Sequence, residues 1–386
     1  MLLIKNGKVF TMTGENYENG SILIHNGKIL EVGLDITVPE ECEIIDAKGG
    51  WVTPGFIEAH CHIGLIEEGM GFEGNDINES TDPITPHLRA IDGVNPFDTA
   101  FHEAIKGGVT TVMTGPGSAN VIGGQFAIMK TNGISVDKMV IKTPSAVKVA
   151  FGENPKRVYN SKGKMPITRM ATAALLRETL VKVKNYKSRK DTATLKGDNF
   201  DIDLKMEALI PVLQKKIPLK AHAHRGDDIL TAIRIAKEFD ILMTIDHCSE
   251  GELVADYIRE SGFPAIVGPT LTFKSKIEVK NKSFTTPGVL SNKGIKVAIT
   301  TDHPVVPIEY LPICAGFAAK AGWNETEALK AITINAAEIL GVEDRVGSIA
   351  KGKDGDIVIF NGNPLDSLTK TLYTIINGEV VYKGDV

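Results

Sequence analysis

Cysteine is scarce and unpatterned in this chain. Its four cysteines, Cys42, Cys61, Cys248 and Cys314, are far apart and form no CxxC pair. Neither a disulfide framework nor a structural zinc cluster is expected, and a reducing cytoplasm fits this usage. No apolar run approaches the roughly 20 residues of a membrane span, so no membrane partner is expected. Basic residues are not in excess: 43 Lys and Arg stand against 48 Asp and Glu, a formal net charge of -5. That argues against nucleic acid as a partner. No GxGxxG follows an early strand, and GPGSANVIGG (115–124) lacks the Lys-Ser/Thr of a phosphate loop. The opening MLLIKNGKVFTMTG has no basic start, long apolar core or small-residue cleavage site, so no signal peptide is expected.

What remains is an ordinary globular composition, 42% hydrophobic and 24% charged over 386 residues. Both ends read as short strands. LLIKNGKVFTM, SILIHNGKILEVG and CEIIDAKGGWV alternate apolar and polar residues, as do DGDIVIFNGN and LYTIINGEVVYKGD. Asn-Gly recurs at 6–7, 26–27 and 377–378, a hairpin signal between such runs. Neither end alone has enough strands for stability. Together, residues 1–52 and 345–386 are expected to form one small β-sandwich domain.

Between them, over 53–344, strand-like runs alternate with helical stretches. Counting WVTPGFIEAH, the runs VTTVMTGP, FAIMKT, AVKVAFG, PLKAHAH, ILMTIDH, PAIVGP and KVAITTDH make eight. Helical patterns span 97–108, 167–189, 227–240, 250–262 and 324–341. Such alternation implies parallel strands with right-handed crossovers, and eight strands suit a closed (β/α)8 TIM barrel. A doubly wound open sheet is the alternative. Long segments at 64–95 and 270–294 read as loops, and loops of this length are more often functional or mobile than idle.

The polar residues fall at the strand ends, where a barrel keeps its active site. These are His60 and His62, Lys148, His222 and His224, His247, and Asp302 with His303. In an extended strand residues i and i+2 share a side, so His60 and His62 project together. Histidines and an aspartate at one mouth form a metal site. Of His222 and His224, one is expected to ligate and the other to face substrate or core. Lys148 lies inside an apolar run, where an unpaired ammonium is costly. It has a negative partner or is chemically changed. Asp302, on the last strand, is placed for a catalytic role. His25 and His102 read as structural, and His87 is unassigned.

The ordered set resembles the amidohydrolase superfamily, in its imidazolonepropionase-like and prolidase-like branch. PGFIEAHCHIG looks like the first-strand HxH motif, and GGVTTVMTGPG like the second strand. AVKVAFGENPKR is similar to the fourth strand with its carbamylated lysine. KAHAHR, IDHCSEG and ITTDHP sit where the fifth, sixth and eighth strands bring His, His and Asp. KGKDGDIVIFNGNPL resembles the return into the small β domain.

The resemblance implies two divalent ions, zinc first with iron or manganese as alternatives. His60, His62 and Asp302 would hold the more buried one and His222 and His247 the second. A CO2-derived carbamate on Lys148 would bridge them, and a shared hydroxide would attack a carbonyl. Asp302 would take its proton and pass it to the leaving nitrogen. Glu153 is the alternative to Lys148.

HAHRGDD carries no glutamate where deaminases and mononuclear members have one after the fifth-strand histidine. That favours hydrolysis of a small-molecule amide, such as a dipeptide, an N-acyl amino acid or a cyclic amide. A mononuclear, imidazolonepropionase-like ring hydrolase or deaminase is the runner-up. Arg157, Tyr159, Arg225, His224 and His303 are candidates for holding substrate, the arginines through a carboxylate. A homo-oligomer is compatible with such a barrel.

Overall fold

The computed structural model describes residues 1–384. Five strands come first: β1 (Leu2–Phe10), β2 (Asn16–His25), β3 (Lys28–Gly33), β4 (Glu43–Asp46) and β5 (Trp51–Pro54). Eight follow: β6 (Phe56–Cys61), β7 (Val109–Thr114), β8 (Ile122–Lys130), β9 (Val140–Ala150), β10 (Leu219–Ala223), β11 (Met243–His247), β12 (Ala265–Val267) and β13 (Val297–Ile299). β14 (Ile357–Phe360), β15 (Thr371–Ile376) and β16 (Glu379–Lys383) close the chain.

β1–β5 and β14–β16 form one sheet in the order β16-β15-β14-β5-β1-β2-β3, with β4 also paired to β1. It is a single branched sheet, not two separately bonded sheets. Ile4, Val9, Ile22, Val52, Ile357 and Ile359 bury its apolar side. Asn26-Gly27 and Asn377-Gly378 are its tight hairpins. All four residues have positive φ, between 50° and 77°, as a two-residue turn matched to strand twist requires. Asn6-Gly7 behaves otherwise. It lies within β1 as a bulge in the pairing with β2, with Asn6 at φ 57°.

The other eight strands form the second sheet in sequence order, β6 through β13. All eight expected strands are present. The WVTPGFIEAH run divides, because β5 pairs with β1 and β14 in the first sheet. One strand departs from a (β/α)8 pattern: β8 runs antiparallel to both β7 and β9. A parallel crossover needs a dozen or more residues, and residues 115–121 before β8 are too few.

The sheet is nearly closed. At the seam between β13 and β6 the chain at 331–332 inserts, its carbonyls accepting from Ile299 N–H (3.2 Å) and Ile57 N–H (2.8 Å). That insertion divides the helical 324–341 stretch into Glu325–Lys330 and Ile334–Leu340. Higher on the seam Glu58 accepts from Thr301 N–H (2.8 Å) and Oγ1 (2.6 Å), and His62 N–H donates to the His303 carbonyl (2.9 Å). Helix Arg169–Lys196 covers the outside, capped by the Thr168 side chain and by Gly197 at φ 74°. Among the described residues no helix is long and apolar enough to cross a membrane.

Candidate metal centre

Strand periodicity places alternate residues inside the barrel. On β6 these are Glu58 and His60, followed by His62; on β9, Lys148; on β10, Lys220 and His222; on β11, Asp246. All are buried. His60, His62 and Asp302 offer ligand atoms within 4.8 Å of one another, and His222, His224 and His247 form a second such group. His60 and His247 join the two, with ring centroids 5.1 Å apart.

The rings are fixed by what their outer nitrogens touch. His62 Nδ1 lies 2.6 Å from the Gly115 carbonyl and His247 Nδ1 lies 2.8 Å from the Gly268 carbonyl. A carbonyl only accepts, so both Nδ1 atoms carry hydrogen and both Nε2 lone pairs are free. His60 Nδ1 faces Asp246 Oδ2 at 3.1 Å, leaving its Nε2 3.4 Å from Asp302 Oδ1. His62 Nε2 is 3.2 Å from the same oxygen. Burial lowers the pKa of His60 to about 4 and holds His222, His224 and His247 below the usual imidazole range. Neutral imidazole is the ligating form.

Two candidate ligand positions stand on strained backbone. His247 has φ 71° and Asp302 φ 54°, and Cys248 beside His247 has φ 51°. Asp246 points inside, so the next residue of a regular strand would point outward. The left-handed turn at 247–248 returns His247 to the mouth. Non-glycine residues in such backbone cluster at functional sites.

Among the described residues Lys148 makes one hydrogen bond, donating to His60 Nε2 at 3.1 Å. Burial lowers its pKa to about 8. Lys220, its register partner on β10, is different. It donates to the Ala59 carbonyl (3.0 Å) and pairs with Asp246 Oδ1 (3.3 Å). Glu153 opens a short helix, and its backbone N–H donates to Glu278 Oε2 (2.9 Å).

Glu278, in the 270–294 loop, is 1% exposed. Its Oε1 lies 3.5 Å from His222 Nε2 and 3.8 Å from His224 Nε2. A carboxylate therefore stands beside the fifth-strand histidines, supplied from a different loop. No sequence motif marks it. Asp246, Lys220 and Glu58 also escaped notice, although each is a charged residue inside an apolar strand, the same signal that singled out Lys148. Burial pushes the Glu58 carboxyl up to about 7.

A cavity of about 310 Å³ opens above both groups, lined by His62, His222, His224, His247 and Asp302 and walled by Ser118, Asn154, Lys276 and Lys282. Arg157 and Arg225 line a neighbouring cavity of about 490 Å³ instead. Arg225 is held by Asp227 through two hydrogen bonds of 2.9 Å. Tyr159 is buried, its hydroxyl donating to Asn120 Oδ1 (2.6 Å) in the glycine-rich loop. His303 is buried behind the mouth, with neither ring nitrogen hydrogen-bonded.

The donor set fits a divalent metal. Among the described residues Asp302 Oδ1 and Glu278 Oε1 are buried without a hydrogen bond, and imidazole with carboxylate suits zinc, iron or manganese.

The chain is similar to known proteins over most of its length. The chain is 45% identical to an amidohydrolase of Thermotoga maritima whose crystal structure superposes with a TM-score of 0.97 over all of both chains. It is 29% identical to the amidohydrolase tasK of Hapsidospora irregularis over 95% of its own length, although it spans only 40% of that protein. It is 26% identical to an imidazolonepropionase of Thermoplasma acidophilum, covering 96% of this chain and 91% of that one. The profile of the amidohydrolase family matches residues 51–381, which takes in both candidate ligand groups, and the chain belongs to that family.

Proposed function

We propose that the chain hydrolyses the C–N bond of a small-molecule amide, using two divalent ions held at the barrel mouth. The observation that carries this is the pair of ligand groups, His60, His62 and Asp302 on one side and His222, His224 and His247 on the other. Lys148 reaches His60 between the strands that bear them. Such ions, when bound, supply Lewis acidity toward a carbonyl oxygen and a hydroxide available at neutral pH.

The residues do the rest. Lys148 is the position for a bridging carbamate: its pKa of about 8 gives it free amine near neutrality, and no ion pair among the described residues ties it up. Lys220 is engaged by Asp246. Asp302 Oδ1, free of hydrogen bonds, accepts the proton of the attacking water and returns it to the leaving nitrogen. The walls restrict substrates to roughly the size of a dipeptide, and Lys276 and Lys282 suit an anionic group on one. A cyclic amide fits the same chemistry, and the relative named imidazolonepropionase supports that form. It equally supports a second reading, a single ion and ring hydrolysis.

Metal content of purified protein, measured beside a Lys148→Ala variant, separates these readings. Two ions per chain, falling sharply in the variant, is the expected result. One ion, unchanged by the substitution, sinks the bridged pair. Dipeptides, N-acyl amino acids and cyclic amides are then the substrates to screen.

A further inference from the structure

Glu278 does not belong to the ligand set that the strand ends supply. It comes from the loop after β12, in the short turn Ile277–Val279. We infer that Glu278 Oε1 is an additional protein ligand, binding the ion on the His222, His224 and His247 side. This rests on the reading of the site as a metal centre.

Three observations converge on it. The carboxylate is 1% exposed, and its two oxygens are treated differently. Oε2 accepts from Glu153 N–H at 2.9 Å, while Oε1 has no hydrogen-bond partner. Lys276 Nζ is 2.5 Å from Oε1 but out of line for a hydrogen bond. Lys276 thus offsets the charge of the carboxylate, while the lone pairs of Oε1, unmet by a hydrogen bond among the described residues, stay open to a further cation. The second observation is spacing. Oε1 lies 3.5 Å from His222 Nε2 and 3.8 Å from His224 Nε2. Two ligands on one tetrahedral ion with bonds of about 2.0–2.1 Å are roughly 3.3 Å apart, so Oε1 stands close to the spacing expected for sharing an ion with either imidazole. The third is support. Ligating carboxylates are usually held by outer donors, and Glu153 N–H and Lys276 stand ready, Lys276 itself donating to Asn154 Oδ1 at 3.0 Å.

The inference gives the long loop a task. With Glu278 as a ligand, this loop would be tied to the strand-end histidines, and the same loop already supplies Lys276 and Lys282 to the wall of the substrate cavity.

The test is zinc binding by competition with a chromophoric chelator, for wild type and Glu278→Gln. The expected result is two ions in wild type. In the variant one ion keeps its affinity, and the other is weakened at least about 100-fold, since even outer partners of ligands are worth about 10–100-fold. Unchanged affinity for both ions overturns the assignment, even with activity lost, because Glu278 would then act on substrate. A wild type that binds no ion overturns the metal centre itself. Anomalous diffraction from zinc-soaked wild-type crystals needs no variant. An ion within about 2.2 Å of Oε1 supports ligation, and one whose ligands exclude Glu278 overturns it.

Discussion

Asp246 is one residue from His247 and does opposite work. It faces the barrel interior, where its Oδ2 lies 3.1 Å from His60 Nδ1 and its Oδ1 accepts from Lys220 (3.3 Å). The Lys220 charge is the strongest of the influences that hold its carboxyl well below the usual range against burial. The aspartate fixes which His60 nitrogen faces the mouth, and Lys220 makes a buried anion tolerable there. Removing one partner of such a pair leaves an uncompensated charge, at about 3–5 kcal/mol. Asp246→Asn and Lys220→Met should each cost about that much in urea unfolding. The double variant should cost clearly less than the sum, because neither charge remains. Strict additivity would show that the two side chains do not sense each other. Neither residue was legible as a pair, since β10 and β11 meet only after folding. The histidines were legible because strand ends are readable in sequence and imidazoles there are few. Arg157 and Arg225 illustrate the converse. They follow strand ends closely in sequence, yet the helices that start there carry them to a neighbouring cavity, and the lysines of a distant loop take the wall.

At the scale of elements, the mouth is held by turns as much as by strands. Gly268, just after β12, has φ 138°, and a Cβ there would lie 2.2 Å from the Thr300 carbonyl oxygen. Its own carbonyl anchors His247 Nδ1 (2.8 Å). Gly268→Ala is therefore strained in backbone and blocked in space. It should lose at least about 2 kcal/mol of stability and loosen His247, visible as weaker zinc binding in the folded fraction. Normal stability with normal binding would mean that this turn can relax freely. The barrel was readable as eight strands because each is a short apolar run between turn residues. Its departure at β8 was not read, although the spacing carries the signal: the segment GPGSANV at 115–121 can turn a hairpin but cannot span a crossover. What spacing could not reveal is the seam. There residues 331–332 interrupt a helical pattern to bond β6 and β13, a tertiary demand that outweighs local helix preference.

Across the whole molecule, the two sheets are tied by one ionic cluster. Lys130, at the far end of the antiparallel β8, meets Asp354 at 2.9 Å and also Asp356. Lys28, at the start of β3, reaches Asp354 at 2.5 Å, and Arg345 reaches the same carboxylate at 2.9 Å. Asp356 also accepts from Asn377 N–H of the β15–β16 hairpin (2.9 Å). The reversal of β8 thus delivers a lysine to the end of the barrel opposite the mouth, where the first sheet packs. The pKa of Asp354 falls to about 2, because the charges of Lys130, Lys28 and Arg345 outweigh burial. The sign follows from linkage. An aspartate whose folded pKa lies below its unfolded value of about 3.9 adds stability above that pH and loses it as pH falls through about 2. Discounted for the solvent that reaches Lys28 and Arg345, the contribution is about 1–2 kcal/mol. Asp354→Asn should therefore flatten the acid side of the stability profile. Near neutral pH the variant should melt earlier than wild type, and the gap should shrink as pH approaches about 2. A gap that stays constant between pH 6 and pH 2 would mean that the cost is lost packing alone, and that the charge of Asp354 is not what joins the two sheets.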